Sequence, residues 1–552
     1  MKSFCFFVAV SLFVSWSCRS SDQKTSPARP NIILIMSDDM GYSDLGCYGG
    51  EIETPVLDKL AEEGVRLTQF YNGARCCPTR ASLLTGLYPH QTGIGHMTNP
   101  SENFEVHDYH VPGYRGELSH QTHTLAEVLK TAGYRTLMTG KWHVGMEHRE
   151  QWPLQRGFDR FYGLLDGASN FFLPVHPRGI TLDNDPIEID DPNYYTTDAF
   201  TSNAIDFIHE GQQSGDDAPF FLYLSYTAPH WPLQAPKENI DKYRDRYHDG
   251  WEVMRRERHK RMLEMGLVNS AWDITPLDAP VWDTINAEQR EELALRRAIY
   301  AAQVDRMDQN IGKLVDYLKE NDLLDNTLII FINDNGACAE GGNMGGGPKE
   351  ELETKKGYFL SYGQGWANAS NTPYREYKHW VHEGGISTPF IAHWPKGIPE
   401  TLKGHIIHQY SFLPDIMATF IDISGAQYAL EKDGKPVPVV AGKSFLPLLK
   451  GNDSPIHKQP IFWEHEGNKA VRLGNYKAVV KWERGKSDKW ELYDIAKDRT
   501  ELNDLSTEKQ DVLLELKEAW EQWASTHQVE PWAQMLDSLE SNRAKARAAR
   551  GK

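Results

Sequence analysis

The sequence predicts an α/β fold: a large mixed, mostly parallel sheet flanked by helices, joined to a small C-terminal antiparallel sheet plus helix. Three observations predict it. Several apolar, strand-like runs end abruptly in polar, chemically capable residues; helical segments alternate with these runs; and the texture changes after Leu449. A chain of 552 residues is too long for one ordinary core, so a large domain with a smaller companion is the natural division.

The runs come in order along the chain. Residues 31–36 lead into Ser37-Asp38-Asp39, and residues 134–139 lead into Gly140-Lys141-Trp142-His143. Residues 220–226 precede Ala228-Pro229-His230-Trp231, and residues 327–332 precede Asn333-Asp334-Asn335-Gly336. Continuous apolar runs of this length fit strands buried on both faces. In open α/β sheets ligands sit beyond the carboxyl ends of the strands, so the four polar loops should share one rim. Between them, residues 124–131 read as a helix, capped by Thr124 and stopped by Gly133. Residues 237–265 are densely charged and 285–320 helix-like, whereas the Gly- and Glu-rich stretch 340–365 reads as a long loop. Short strand candidates at 460–464, 470–473, 477–481 and 490–493 precede a helix at about 506–527. These features divide the mature chain into a domain at 27–449, a smaller one at 450–540 and a basic tail at 541–552.

Composition excludes some functions. A formal charge of −18 leaves no basic face for nucleic acid, so no nucleic-acid partner is expected. An anionic ligand would need a local cationic pocket, which an acidic protein can still build. Lys2, the apolar stretch 4–14 and the small residues before Cys18 read as an export signal over residues 1–18, too short to span a bilayer. Cys18 is similar to a bacterial lipoprotein attachment site, although Ser15 departs from the aliphatic residue usual three places earlier. The expected location is therefore outside the cytoplasm of a bacterium, periplasmic or tethered through a lipid at Cys18. Past the leader, Cys47, Cys76, Cys77 and Cys338 form neither a disulfide framework nor a zinc spacing.

Adjacent cysteines are an oxidation liability in an exported protein, which directs attention to Arg75-Cys76-Cys77-Pro78-Thr79-Arg80. Pro78 suits the first turn of a helix continued by Ala81-Ser82-Leu83-Leu84, so Cys76 lies at a helix N-terminus, where the dipole favours anions. For an isolated cysteine a packing role would be the better explanation. The run Cys-x-Pro-x-Arg followed by Leu83-Leu84-Thr85-Gly86, however, resembles the signature of the formylglycine-dependent (type I) sulfatases of the alkaline-phosphatase-like superfamily. Asp38-Asp39, Lys141 with His143, His230, Asp334-Asn335-Gly336 and Lys378 before Glu383-Gly384-Gly385 occur in that family's order. Together they are far more specific than any one, since a lone Asp-Asn-Gly is usually a turn.

The residue types explain themselves physically. Asp38, Asp39, Asp334 and the amide oxygen of Asn335 make an all-oxygen set suited to a hard cation such as calcium, with residue 76 beside it. Arg80, Lys141 and Lys378 can supply the positive charge that a sulfate requires. The resemblance implies that Cys76 is oxidised to formylglycine by a maturation enzyme, and that its hydrate attacks sulfur. It also implies His230 as the acid for the leaving group, assisted by Lys378, and His143 as the base that regenerates the aldehyde. Arg75, His96, Glu340 and His465 are candidate substrate contacts through their proximity to these motifs. Cys77 is expected to be a bystander. Many relatives carry an arginine where this chain has Ser387, which bears on specificity. The substrate expected is a sulfated carbohydrate, with exo action on a sulfated galactose or N-acetylgalactosamine, or an aryl sulfate. The alternatives are a broad arylsulfatase, a phosphodiesterase or phosphonate monoester hydrolase, and an inactive sulfoglycan-binding protein.

Overall fold

A computed structural model describes residues 1, 29–99, 104–215 and 217–550; the expected export signal, Cys18 and the last two residues of the basic tail lie outside the described residues. Ten strands form the large sheet. In chain order they are β1 (Asn31–Ser37), β2 (Val65–Tyr71), β3 (Arg135–Lys141), β4 (Arg160–Leu164), β5 (Ile180–Leu182), β6 (Asp185–Ile187), β7 (Phe220–Ser225), β8 (Thr327–Asn333), β9 (Ser387–His393) and β10 (His405–Phe412). Their spatial order is β10-β2-β9-β8-β1-β7-β3-β4-β5-β6. The four runs read from sequence are the central β8-β1-β7-β3, all parallel, so their polar C-terminal loops meet at one edge. Antiparallel β9, inserted between β8 and β2, begins at that same edge. The segment leading into it, with Lys378 and Glu383, therefore joins the rim from the opposite chain direction.

Alternation along each strand builds two cores. Ile33 and Ile35 of β1 and Ile329 and Phe331 of β8 face one layer, packed under the 34-residue helix Ala287–Glu320. Ile32, Leu34 and Met36, with Leu328, Ile330 and Ile332, face the other, against the helices Cys76–Thr85 and Pro414–Ser424. Burying both faces explains why these strands read as unbroken apolar runs. The expected capped helix is Leu125–Lys130, with Thr124 accepting a hydrogen bond from the Glu127 amide and Glu127 returning one. The charged stretch 237–265 folds as two helices, Lys237–Tyr243 and Gly250–Glu264. The long loop is pinned: the Arg296 guanidinium donates to the carbonyls of Gly346, Gly347 and Ser361.

After a two-stranded ribbon of β11 (Glu431–Lys432) and β12 (Lys435–Pro436), a four-stranded antiparallel meander follows. It comprises β13 (Ile461–His465), β14 (Asn468–Leu473), β15 (Tyr476–Val480) and β16 (Trp490–Asp494), covered by the helix Gln510–Thr526. A third apolar cluster joins this unit to Tyr71, Tyr410 and Phe412 of the large sheet. A terminal helix, Trp532–Arg550, runs through the point where the basic tail was placed, so position 540 is not a structural boundary. Among the described residues no helix is long and apolar enough to cross a membrane.

Candidate active site and metal centre

Cys76 opens the helix Cys76–Thr85, with extended Arg75 as its N-cap residue, and the thiol is fully buried. Thr79 fixes the entry by accepting from the Gly73 amide at 2.9 Å. Burial pushes the Cys76 thiol up to about 12, against the opposing pull of Lys141 and Lys378. Donor atoms of Asp38, Asp39, Cys76 and His230 all lie within 4.8 Å of one another.

Each neighbour arrives from a strand end. Asp38 and Asp39 follow β1, and Asp39 holds a left-handed backbone (φ 64°) that turns its amide onto Asp334 Oδ1 at 3.1 Å. Asn335 Nδ2 donates to Asp39 Oδ1 at 2.7 Å. Below them Asn333 braces the two loops, accepting from Ser37 Oγ (2.8 Å) and the Met40 amide (3.1 Å). Lys141, the last residue of β3, reaches Asp38 Oδ2 at 2.7 Å. A Cβ at Gly140 (φ 109°) would overlap the Ser225 carbonyl, so glycine is required to bring β3 this close to β7. The Arg80 guanidinium donates to Asp334 Oδ2 at 3.0 Å, and also to Ser225 Oγ and the Lys141 carbonyl. Lys378 Nζ lies 2.8 Å from Asp39 Oδ2.

Three buried carboxylates therefore face three buried cations. Burial and the nearby Asp334 raise Asp38 well above the usual carboxylate range, and Lys141 and Arg80 only partly offset this. Burial acts the same way on Asp39, yet Lys378, His230 and Lys141 hold it below that range. Asp38 Oδ1 and Asn335 Oδ1 are buried with no hydrogen-bond partner. Orphaned oxygens beside crowded carboxylates are what a hard cation would satisfy.

The two histidines differ in tautomer. The Thr98 carbonyl can only accept, so His143 Nε2 carries the hydrogen (3.2 Å) and buried Nδ1 keeps a free lone pair. Burial, then Lys141 and Arg80, hold His143 neutral. His230 Nδ1 donates to the Trp231 carbonyl at 2.6 Å, and its Nε2 faces Asp39 Oδ2 at 3.4 Å. Burial pushes His230 down to about 3; Asp39 opposes the shift, and Lys378 and Lys141 reinforce it.

At the rim, Arg75 donates to Glu340 Oε1 at 2.9 Å and Trp231 Nε1 to Glu340 Oε2 at 2.8 Å. His465 is fully buried, one layer behind His379, with the ring centroids 5.2 Å apart. His96 is not at the rim. Its ring stacks on Tyr109 at 4.3 Å and donates to the His107 carbonyl at 2.9 Å, so its proximity in sequence reflects packing behind Cys77. Ser387 is also buried, and the guanidinium at this position comes from Arg499, which donates to Ser387 Oγ (3.0 Å) and Glu383 Oε2 (2.7 Å). The departure at Ser387 therefore lies in the core. Sequence reasoning missed Asn333 and Ser225, although each is the polar last residue of a buried strand, the same signal that exposed Asp38 and Lys141. It also missed Thr98, His379 and Glu466, which no local pattern marks.

Comparison with known proteins identifies the family. Residues 30–426 match the Sulfatase family model, and residues 375–526 match that of the N-sulphoglucosamine sulphohydrolase C-terminal region. An uncharacterised sulfatase of Schizosaccharomyces pombe is 36% identical over 530 residues, 90% of this chain and 94% of its own. The arylsulfatase of Klebsiella aerogenes is 33% identical over 455 residues, covering 79% and 94%. The crystal structure of Ps i-CgsB in complex with k-i-k-neocarrahexaose superposes with a TM-score of 0.68 at 25% identity, covering 93% of this chain and 98% of that one.

Proposed function

The chain belongs to the sulfatase family and is a sulfuric ester hydrolase, and we propose that it removes sulfate from glycans, exo-acting on a sulfated galactose or N-acetylgalactosamine, with calcium and a formylglycine made from Cys76. The observation that carries this reading is the meeting of Cys76 with Asp38, Asp39 and His230, ringed by Arg80, Lys141 and Lys378. Asp38, Asp39, Asp334 and Asn335 would hold the calcium, beside residue 76. When bound, the ion supplies Lewis-acid stabilisation of negative charge on the reacting oxygens.

The side chains then divide the work. Arg80, Lys141 and Lys378 bind the sulfate and neutralise its oxygens as charge builds. One hydroxyl of the hydrated aldehyde at residue 76, passing its proton to the adjacent Asp38 carboxylate, forms a bond to sulfur as the bond from sulfur to the sugar oxygen breaks. A sugar alkoxide leaves poorly, so it takes a proton from His230, with Lys378 assisting. Burial and the two lysines disfavour the charged form, so to act as the acid His230 must gain a proton at Nε2, which Asp39 Oδ2 at 3.4 Å and the arriving negative sulfate both favour. His143 Nδ1, neutral and unpartnered, then removes the proton of the second hydroxyl. The carbonyl reforms, sulfate departs, and water restores the hydrate. Supporting a carbohydrate substrate is the similarity to Ps i-CgsB, which was solved with a neocarrahexaose. A maturation enzyme that makes formylglycine is the partner this chemistry needs.

The test compares a sulfate ester with its phosphate analogue on purified, aldehyde-bearing protein. Sulfate release should be much faster. Faster phosphate hydrolysis would overturn the proposal.

A further inference from the structure

Beside residue 76 the turn between β13 and β14 meets the residue after Lys378. His379 is tied to the nucleophile loop by its amide, which donates to the Ala74 carbonyl at 2.7 Å. Its ring Nδ1 faces Glu466 Oε2 at 3.5 Å, and Glu466 Oε1 accepts from the Met97 amide at 3.1 Å. Both residues hold left-handed backbones (φ 93° and 49°), an unusual conformation for non-glycine residues, and both side chains stay partly open to solvent. Arg75, adjacent to residue 76 and paired with Glu340 at 2.9 Å, also lies within electrostatic reach of Glu466.

Two histidines and a carboxylate suggest a second metal, but the hydrogen bonding argues against it. Asn468 Oδ1 accepts from the Trp482 amide, so Asn468 Nδ2 is the donor to His379 Nε2 at 3.3 Å. His379 Nε2 is thus occupied as an acceptor, and its Nδ1 carries the hydrogen facing Glu466. Neither nitrogen is free to ligate an ion. What the cluster presents is hydrogen-bonding groups and one negative charge.

Charge around the mouth is otherwise matched in pairs: Arg75 with Glu340, Arg178 with Asp166, Lys378 with Asp39, Lys141 with Asp38 and Arg80 with Asp334. Among the described residues the ion-pair partners of Glu466 within 4.0 Å are the two histidines, at 3.5 and 3.9 Å, whose charged forms burial disfavours; the nearby Arg75 is paired with Glu340. Among the described residues its carboxylate has no lysine or arginine ion-pair partner within 4.0 Å, unlike the others of this mouth. A carboxylate accepts strongly from hydroxyl groups and repels a second anion.

Resting on the sulfatase reading above, we propose that Glu466, positioned by His379, forms a subsite for the hydroxyls of an otherwise uncharged sulfated sugar, and that it rejects rings bearing a second anionic group. The substrate class is then a neutral monosulfated hexose or N-acetylhexosamine, not a sulfated uronate or a doubly sulfated glucosamine.

The experiment measures kcat/KM of aldehyde-bearing protein on galactose and N-acetylgalactosamine monosulfates, glucosamine 2-N,6-O-disulfate, a sulfated glucuronate and 4-nitrophenyl sulfate. At least one neutral sugar should exceed both dianionic sugars by 100-fold or more. Glu466→Gln, with melting unchanged, should compress that ratio at least tenfold and raise KM for the neutral sugar. Equal or faster turnover of a dianionic sugar overturns the proposal, as does an unmoved ratio in Glu466→Gln. Hydrolysis of 4-nitrophenyl sulfate with no neutral sugar accepted overturns it while leaving the sulfatase reading intact. No sulfate release from any substrate overturns both.

Discussion

The ammonium of Lys378 sits 2.8 Å from Asp39 Oδ2, an oxygen of the proposed calcium site. A cation on a ligand oxygen competes with the metal as well as serving the sulfate. Lys378→Met should therefore tighten calcium binding, by about tenfold or roughly 1.4 kcal/mol, while turnover falls at least ~100-fold through loss of charge on the ester and of help to the leaving group. Calorimetric titration with calcium and a sulfate-release assay check the two halves separately. Weaker calcium binding in this variant would show that the lysine supports the site and does not compete for it.

In the proposed mechanism Cys76 acts only after modification. Active protein should show loss of thiol mass at residue 76 by mass spectrometry. Cys76→Ser should keep the fold and the proposed calcium site, since the helix entry rests on Thr79 and Gly73, yet it should not turn over, because a serine sulfate lacks the second hydroxyl that His143 would deprotonate. Full activity in Cys76→Ser would remove the central claim.

Burial also times the modification. A thiol that burial pushes up to about 12 carries almost no thiolate at neutral pH and is a poor nucleophile there. The folded, unmodified protein should resist iodoacetamide at Cys76 at pH 8 and should not be converted by a maturation enzyme, while the unfolded chain should undergo both reactions. Rapid alkylation in the native state would mean that the thiolate forms readily in the folded site.

Much of this was legible in the sequence for one physical reason. A strand buried on both faces is an unbroken apolar run, so the polar residue that ends it stands out, and the ends of β1, β3, β7 and β8 supplied most of the site. The rest was hidden because its signals are tertiary. Antiparallel β9 reads like any short apolar stretch, yet the segment before it brings His379 to the rim beside Lys378, which was legible through the family resemblance alone. His96 looked functional from its place in the chain, but a histidine stacked on Tyr109 and one lining a site have the same local sequence. Glu466 sits in a tight turn whose partner, His379, is 87 residues away by numbering.

Glu383 joins the two units and sets an acid limit. Its carboxylate accepts from Lys477 (2.9 Å), Arg499 (2.7 Å) and Tyr71 (3.0 Å), all buried. Burial alone would raise its pKa, but Lys477, Arg499 and Arg472 hold it at about 2, below the ordinary 4.5. A depressed carboxylate contributes stability that is present above about pH 4.5 and is lost as pH falls toward 2. Glu383→Gln should cost about 3–5 kcal/mol at pH 7, because the buried cations lose a partner. It should also flatten the fall in melting temperature between pH 4.5 and 2. An unchanged acid profile would place the acid sensitivity elsewhere.

Cys77, expected to be a bystander, has specific contacts. Its sulfur donates to the His96 carbonyl at 3.5 Å and accepts from the Thr98 amide at 3.3 Å, and the Thr98 carbonyl in turn fixes the His143 tautomer. A serine oxygen sits closer to its own backbone than sulfur does, so it cannot keep both contacts without moving the 96–98 segment. Cys77→Ser should fold with about 1–2 kcal/mol less stability and lose roughly 3–10-fold in kcat, about the cost of a misplaced base, with KM little changed. The pH profile of kcat is the readout that distinguishes this from simple loosening, because a His143 released from Thr98 should titrate at a different pH. A profile and kcat identical to wild type would return Cys77 to the role of core filler.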